Sequence, residues 1–132
     1  MSVLGHVKDV ASVYADLDVY VQSSHTEGLS VALLEAMACR LPVAAARVGG
    51  TEEVVQEGET GLLFEPGDSG GLNAAIGRFL DYPEQARAMA EAGRRLVVRR
   101  FGADRMVDET DRLITRLLAA GATVPAGGLR RL

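Results

Sequence analysis

The chain has 132 residues, 48% of them apolar, with one cysteine, no tryptophan and a formal net charge of −4. That is enough apolar material for one compact domain, and it excludes a disordered chain, an internal disulfide and a multi-cysteine metal site. An acidic balance with only 5% aromatic residues offers neither the basic field nor the stacking platforms that nucleic acid needs, so no nucleic-acid partner is expected.

The first two-thirds alternates short β-rich runs with helical ones, the pattern of a parallel sheet with covering helices. Val3-Leu4 reads as the tail of a strand. Val7 to Ala15 reads as a helix, because Val7, Val10, Ala11 and Tyr14 recur at helical spacing, and Asp18 to Gln22 reads as a short buried strand. Ser30 to Cys39 is rich in helix formers, with Ser30 placed as N-cap and Pro42 closing the helix from behind. Pro42 to Ala46 follows as a strand, Gly49-Gly50 as a turn, Glu52 to Gln56 as one or two helical turns, and Gly61 to Phe64 as another strand.

Beyond Pro66-Gly67 the chain becomes helical, with helices over Asp68 to Leu80, Pro83 to Arg99 and Ala103 to Ala119, the first two opened by an N-cap Asp and an N1 Pro. Residues 1–119 therefore read as a partial Rossmann-like domain. The run GATVPAGGLRRL is punctuated by Gly and Pro and has no period, so residues 120–132 are expected to be a disordered tail. A doubly wound domain commonly has about five or six strands, and the sequence offers fewer. Either the sheet is small or the chain starts inside a domain.

No apolar run approaches the roughly 18 residues of a membrane helix, since Glu35, Arg40 and Arg47 interrupt the richest region. Lys8 and Asp9 soon after Gly5 do not suit a signal peptide. A cytoplasmic location is the expectation.

The most informative segment is Gln22 to Ala46, where a buried strand runs through a loop into a helix. Ligands of open α/β sheets sit beyond the carboxyl ends of strands, and a helix start there offers free N–H groups and partial positive charge. Gly28 removes a side chain beside that start, so the amides of Gly28, Leu29 and Ser30 would approach phosphate oxygens closely. The hydroxyls of Ser24 and Ser30 would add hydrogen bonds, although Ser24 equally suits a turn cap. Glu27 stands just outside the helix and Glu35 inside it, about five residues on and roughly 7–8 Å along the axis. Carboxylates on both sides of a diphosphate site suit a ligand with hydroxyl-rich groups at both ends, such as a nucleotide sugar.

Glu27 to Glu35 fits a Glu-x7-Glu motif. With Leu4-Gly5, Ser24-x-x-Glu27-Gly28, Leu34-Glu35-Ala36-Met37-Ala38, Pro42-Val43, Val48-Gly49-Gly50, Glu53-Val54-Val55, Thr60-Gly61-Leu62-Leu63 and Pro66-Gly67-Asp68 it forms an ordered series across residues 4 to 68. The series resembles the donor-binding, C-terminal domain of GT-B retaining glycosyltransferases, particularly family 4. The resemblance implies a Rossmann-like half of a GT-B fold whose first strands are missing, and carbohydrate biosynthesis as the setting. It implies Glu27 near the reacting sugar carbon as the catalytic residue, and Glu35 on the ribose hydroxyls. The amides of Gly28, Leu29 and Ser30 would lie on the diphosphate, and the backbone around Gly5 to Val7 on the base. It further implies transfer to an acceptor hydroxyl with retained configuration, and no cofactor or metal.

Arg40 stands where the family commonly has Gly, a position that often needs a left-handed backbone, so the helix is expected either to end differently or to carry strain. The family's upstream Arg/Lys pair and its N-terminal acceptor domain have no counterpart here, so a missing domain or a complementary chain is an expected partner and the chain alone is expected to be weakly active or inactive. The alternative is a non-catalytic nucleotide-sugar-binding module or regulatory subunit. A sugar-nucleotide epimerase would need acid/base residues that are not found.

Plainer readings apply to other positions. His6 and His25 are loop histidines, Cys39 a small buried hydrophobe, and Gly49-Gly50 a tight turn in preference to an acceptor-side lining. Arg87, Arg94, Arg95, Arg99 and Arg100 suggest peripheral membrane contact with anionic lipid, but the alternating glutamates favour a solvated helix face. Leu113, Ile114, Leu117 and Leu118 form an apolar stripe on the last helix, which the resemblance directs towards the missing domain.

Overall fold

The computed structural model describes residues 5–119. The expected strand at Val3-Leu4 and the expected tail over residues 120–132 lie outside the described residues. Two compact units divide the described residues, one ending at Phe101 and the other beginning at Gly102.

The first unit contains α1 (Val10–Ala15), β1 (Tyr20–Gln22), α2 (Val31–Ala38), β2 (Val43–Ala46), α3 (Thr51–Val54), β3 (Leu62–Phe64), α4 (Ser69–Asp81) and α5 (Pro83–Phe101). The strands form a parallel sheet in the order β1-β2-β3, with Tyr20 opposite Val43 and Ala44 opposite Leu62. All four residues of β2 are buried, as expected of a central parallel strand covered on both faces. Its alternation assigns the faces. Val43 and Ala45 join Leu33, Met37, Val54, Val55, Leu96 and Val97 in one core, while Ala44 and Ala46 join Phe64, Ala75, Phe79 and Met89 in the other.

Every expected element within the described residues is present, with ends shifted by about one to three residues in either direction. Strand β1, expected to be buried, has Gln22 buried but Val21 exposed, because it lies at the edge of the described sheet. The first helix begins at Val10, not Val7, because Asp9 closes its N-terminus by accepting the Ser12 N–H at 3.3 Å. Asp68 caps α4 by accepting from Gly71 N–H at 2.9 Å, and Pro83 opens α5. Helix α5 lies close against its neighbours at Gly93, where a Cβ would stand 3.0 Å from Met37 Cε and 3.1 Å from the Thr60 carbonyl oxygen.

The second unit contributes α6 (Ala103–Ala119). Its Leu113, Ile114, Leu117 and Leu118 are all exposed. Within it, Arg105 pairs with Glu109 one turn on.

Candidate functional site

Helix α2 has two ends of opposite character, and the Glu27–Glu35 segment lies at its start. Ser30 adopts extended backbone angles and its Oγ accepts the Leu33 N–H at 3.3 Å, while its carbonyl accepts from Leu34. A cap of this kind satisfies some of the four N–H groups that a helix start leaves open. The N–H groups of Val31 and Ala32 are left without a protein partner among the described residues. Gly28 and Leu29, just ahead, are exposed. A Cβ on Gly28 would meet nothing within 4 Å, so packing inside the protein does not account for that glycine, whereas close approach of a ligand would.

Glu27 is half-buried and held in place. Ser24 Oγ donates to Glu27 Oε2 at 3.2 Å, so the hydroxyl expected on a phosphate instead orients a carboxylate. The backbone is fixed from the other side by Gly49-Gly50. Gly49 has φ of 47°, and a Cβ there would stand 1.8 Å from the Glu27 carbonyl oxygen; one on Gly50 would stand 3.0 Å from the Gly28 carbonyl oxygen. Gly50 N–H also donates to that Gly28 oxygen at 3.2 Å. The turn is therefore the seat of the site loop. Sequence reasoning missed this role, though the double glycine in the motif series was the available signal.

Glu35 is exposed on α2, and Tyr14 OH reaches its Oε2 at 3.3 Å and the Ala32 carbonyl oxygen at 3.3 Å. Tyr14 and Tyr20 pack edge to face with ring centroids 6.2 Å apart. Burial, then the negative charge of Glu35, pushes the Tyr14 phenol up to about 12. The Tyr20 phenol is raised as well, first by burial and then by the charge of Glu27, with a hydrogen bond from Ser30 acting the other way. Tyr20 OH donates to Gln22 Oε1 at 3.3 Å, and the buried Gln22 Nε2 has no partner among the described residues. Neither tyrosine nor Gln22 was singled out from the sequence for a part in the site.

Of the other expected positions, Gly5 has φ of 64° and is exposed, and Val7 is half-buried. Neither makes a hydrogen bond to Glu27 or Glu35 among the described residues. His25 lines a cavity of about 210 Å³ with Ser23, Phe64, Gly67, Asp68, Ser69 and Leu72. Among the described residues no group of three His, Cys, Asp or Glu side chains is placed to hold a metal ion.

The other end of α2 is closed by protein groups. Arg40 N–H donates to the Met37 carbonyl at 3.1 Å and Leu41 N–H to the Ala36 carbonyl at 3.1 Å, the paired bonds of a Schellman ending. Arg40 occupies its left-handed position with φ of 64°, so of the two expected outcomes the structure adopts strain. Arg94 Nη1 donates to the Ala38 carbonyl at 2.6 Å, and Arg40 Nε pairs with Glu91 at 3.0 Å. Cys39 is exposed, not buried as expected, because the C-cap position follows the last buried turn of Ala36 and Met37. Of the α5 arginines, Arg94 serves this cap and Arg87 pairs with Glu84.

Residues 1–96 match the family model for glycosyl transferases group 1. The chain is 38% identical over 106 residues to the N-acetyl-alpha-D-glucosaminyl L-malate synthase of Bacillus anthracis, an alignment covering 80% of this chain and 28% of that protein. It is 36% identical over 125 residues to the D-inositol 3-phosphate glycosyltransferase of Geodermatophilus obscurus, covering 95% of this chain and 26% of that one. Among solved structures, Anabaena HepE in complex with UDP aligns with a TM-score of 0.84 at 27% identity, over 86% of this chain and 32% of that chain. The same protein in complex with UDP-glucose aligns at 0.83. The chain spans less than a third of the length of each of these relatives. No helix among the described residues is long and apolar enough to cross a membrane.

Proposed function

The chain belongs to the group 1 glycosyl transferases, as part of the C-terminal half of a GT-B fold, and on that premise we propose that it binds a nucleotide-diphosphate sugar for transfer to an acceptor hydroxyl with retention. Glu27 faces the donor sugar near its reacting carbon. The amides of Gly28, Leu29 and Ser30, with those at the start of α2, receive the diphosphate and stabilise the charge that develops as it departs. Glu35 accepts hydrogen bonds from the ribose hydroxyls, and backbone around Gly5 and Val7 meets the base. No metal is assigned a part.

The observation that carries this reading is the local construction. An exposed glycine that packing does not require sits at an open helix start, between a carboxylate held by Ser24, with its backbone seated against Gly49, and a second carboxylate on that helix. The UDP and UDP-glucose complexes of HepE, a structural neighbour, support the ligand class. Acceptor binding and full turnover are assigned to residues outside this chain, which leaves the chain alone weakly active or inactive.

Calorimetry with UDP, GDP and ADP and their sugars tests the reading. Glu35→Ala weakens both free nucleotide and intact donor by about tenfold or more, the scale of a lost hydrogen bond to a charged group. Glu27→Ala weakens mainly the donor. Equal losses of free-nucleotide affinity in the two variants refute these roles. Transfer after an acceptor-binding half is supplied separates an enzyme from a binding module.

A further inference from the structure

Glu35 is exposed on its helix, yet one of its two carboxylate oxygens is already engaged by a group from another element. Tyr14 comes from α1, which precedes β1, and its side chain reaches across to α2 with only 7% of its surface exposed. Its ring is fixed by the edge-to-face contact with Tyr20 and by the core around Leu33 and Met37. The hydroxyl lies 3.3 Å from Glu35 Oε2 and 3.3 Å from the Ala32 carbonyl oxygen. A phenol has one proton to donate, and both distances are long for an O–H···O bond, so the proton is shared between the two acceptors.

We propose that Tyr14 is a positioning residue for nucleotide binding: its hydroxyl holds Glu35 Oε2, so that Oε1 is presented to the vicinal hydroxyls of a ribose. The inference rests on the role proposed above for Glu35. A glutamate free on a helix surface samples many rotamers, and holding one of them costs binding free energy that a preorganised side chain does not lose again. Of the two acceptors the charged carboxylate takes the stronger bond. The phenol remains a donor throughout the neutral range, since burial and the nearby carboxylate keep it protonated.

Tyr14→Phe removes the hydroxyl and keeps the ring, so the contact with Tyr20 and the core survives. Calorimetry on the 132-residue chain first identifies which of UDP, GDP or ADP binds best, then compares that nucleotide with its 2′,3′-dideoxy analogue. The unaltered chain prefers the ribonucleotide. Tyr14→Phe loses about three- to tenfold of ribonucleotide affinity, the scale of ordering one rotamer-rich side chain, and keeps its dideoxy affinity within about twofold. In a Glu35→Ala background the same change costs nothing further. Equal losses for both ligands, or a full further loss in the Glu35→Ala background, overturn the positioning role and leave a packing effect. An unaltered chain that binds no nucleoside diphosphate overturns the functional reading beneath it.

Discussion

Each end of α2 leaves over backbone polar groups, N–H donors at its start and carbonyl acceptors at its finish, and the two sets are treated in opposite ways. At the C-terminal end, carbonyls of Ala36, Met37 and Ala38 are taken by Leu41, Arg40 and Arg94, and the leading residue of the next strand follows within a few positions. At the N-terminal end one hydroxyl caps, and the amides of Val31 and Ala32 stay open behind an exposed Gly28-Leu29. An end that serves only stability uses protein groups for its leftover polarity. An open, exposed start leaves its N–H groups to water or to a ligand, and the function proposed above gives them to a ligand. Ser24 and Gly49 fix Glu27, and Tyr14 contacts Glu35; none of them fills the opening between.

That contrast breaks most severely at Gly49. A Cβ would stand 1.8 Å from the Glu27 carbonyl oxygen, on a backbone with φ of 47°. Gly49→Ala therefore costs about 2–4 kcal/mol, combining a clash between two backbones with a left-handed conformation. Denaturant unfolding measures the loss, and the displaced Glu27 loop abolishes donor binding at temperatures where the chain stays folded. A stable variant with unchanged affinity would show that the turn does not hold the site.

Arg94→Met tests the closed end alone. It removes the donor to the Ala38 carbonyl and leaves an apolar stem of similar length, costing about 1.5–3 kcal/mol for a hydrogen bond from a charged group. The chain melts earlier, while nucleotide affinity measured on the folded protein does not move. A loss of affinity comparable to that of Glu35→Ala would mean that the two ends are not separable.

The sequence disclosed the framework more fully than the support of the site. Strand positions were legible because VAAA at residues 43–46 is a continuous small apolar run, as a doubly covered parallel strand demands. Helix starts were legible because Ser30, Asp68 and Pro83 are local signals acting within one turn. Tyr14 and Gly49 were not read as site residues because their roles depend on contacts across 21 and 22 positions of chain, to Glu35 and Glu27. Local pattern carries no record of such distances. Cys39 was misread for a related reason: a small residue after a buried run looks buried, but the helix ends at that position and the covered face ends with it.

Arg40 offers the finest division of the two ends, and the smallest effect. Its φ of 64° costs an L-residue about 1–2 kcal/mol, and glycine at that position escapes the cost. Against this gain stand the lost ion pair with Glu91, whose side chains are 58% and 46% exposed, worth about 0–1 kcal/mol, and the greater freedom of glycine in the unfolded chain, about 0.4–1 kcal/mol. At the midpoints of these terms Arg40→Gly stabilises the chain by only about 0.3 kcal/mol. Arg40→Ala keeps the strain and loses the ion pair, so it falls below both the parent and the glycine variant. Thermal melting should rank them glycine, arginine, alanine, with the outer two separated by a few degrees, about 1 kcal/mol. Equal melting of the alanine and glycine variants would mean that the strain of the left-handed turn is no larger than the roughly 0.4–1 kcal/mol set against it by the freedom of glycine in the unfolded chain. Nucleotide affinity should be the same in all three, because among the described residues no side chain at this end of α2 bonds to Glu27 or the open amides.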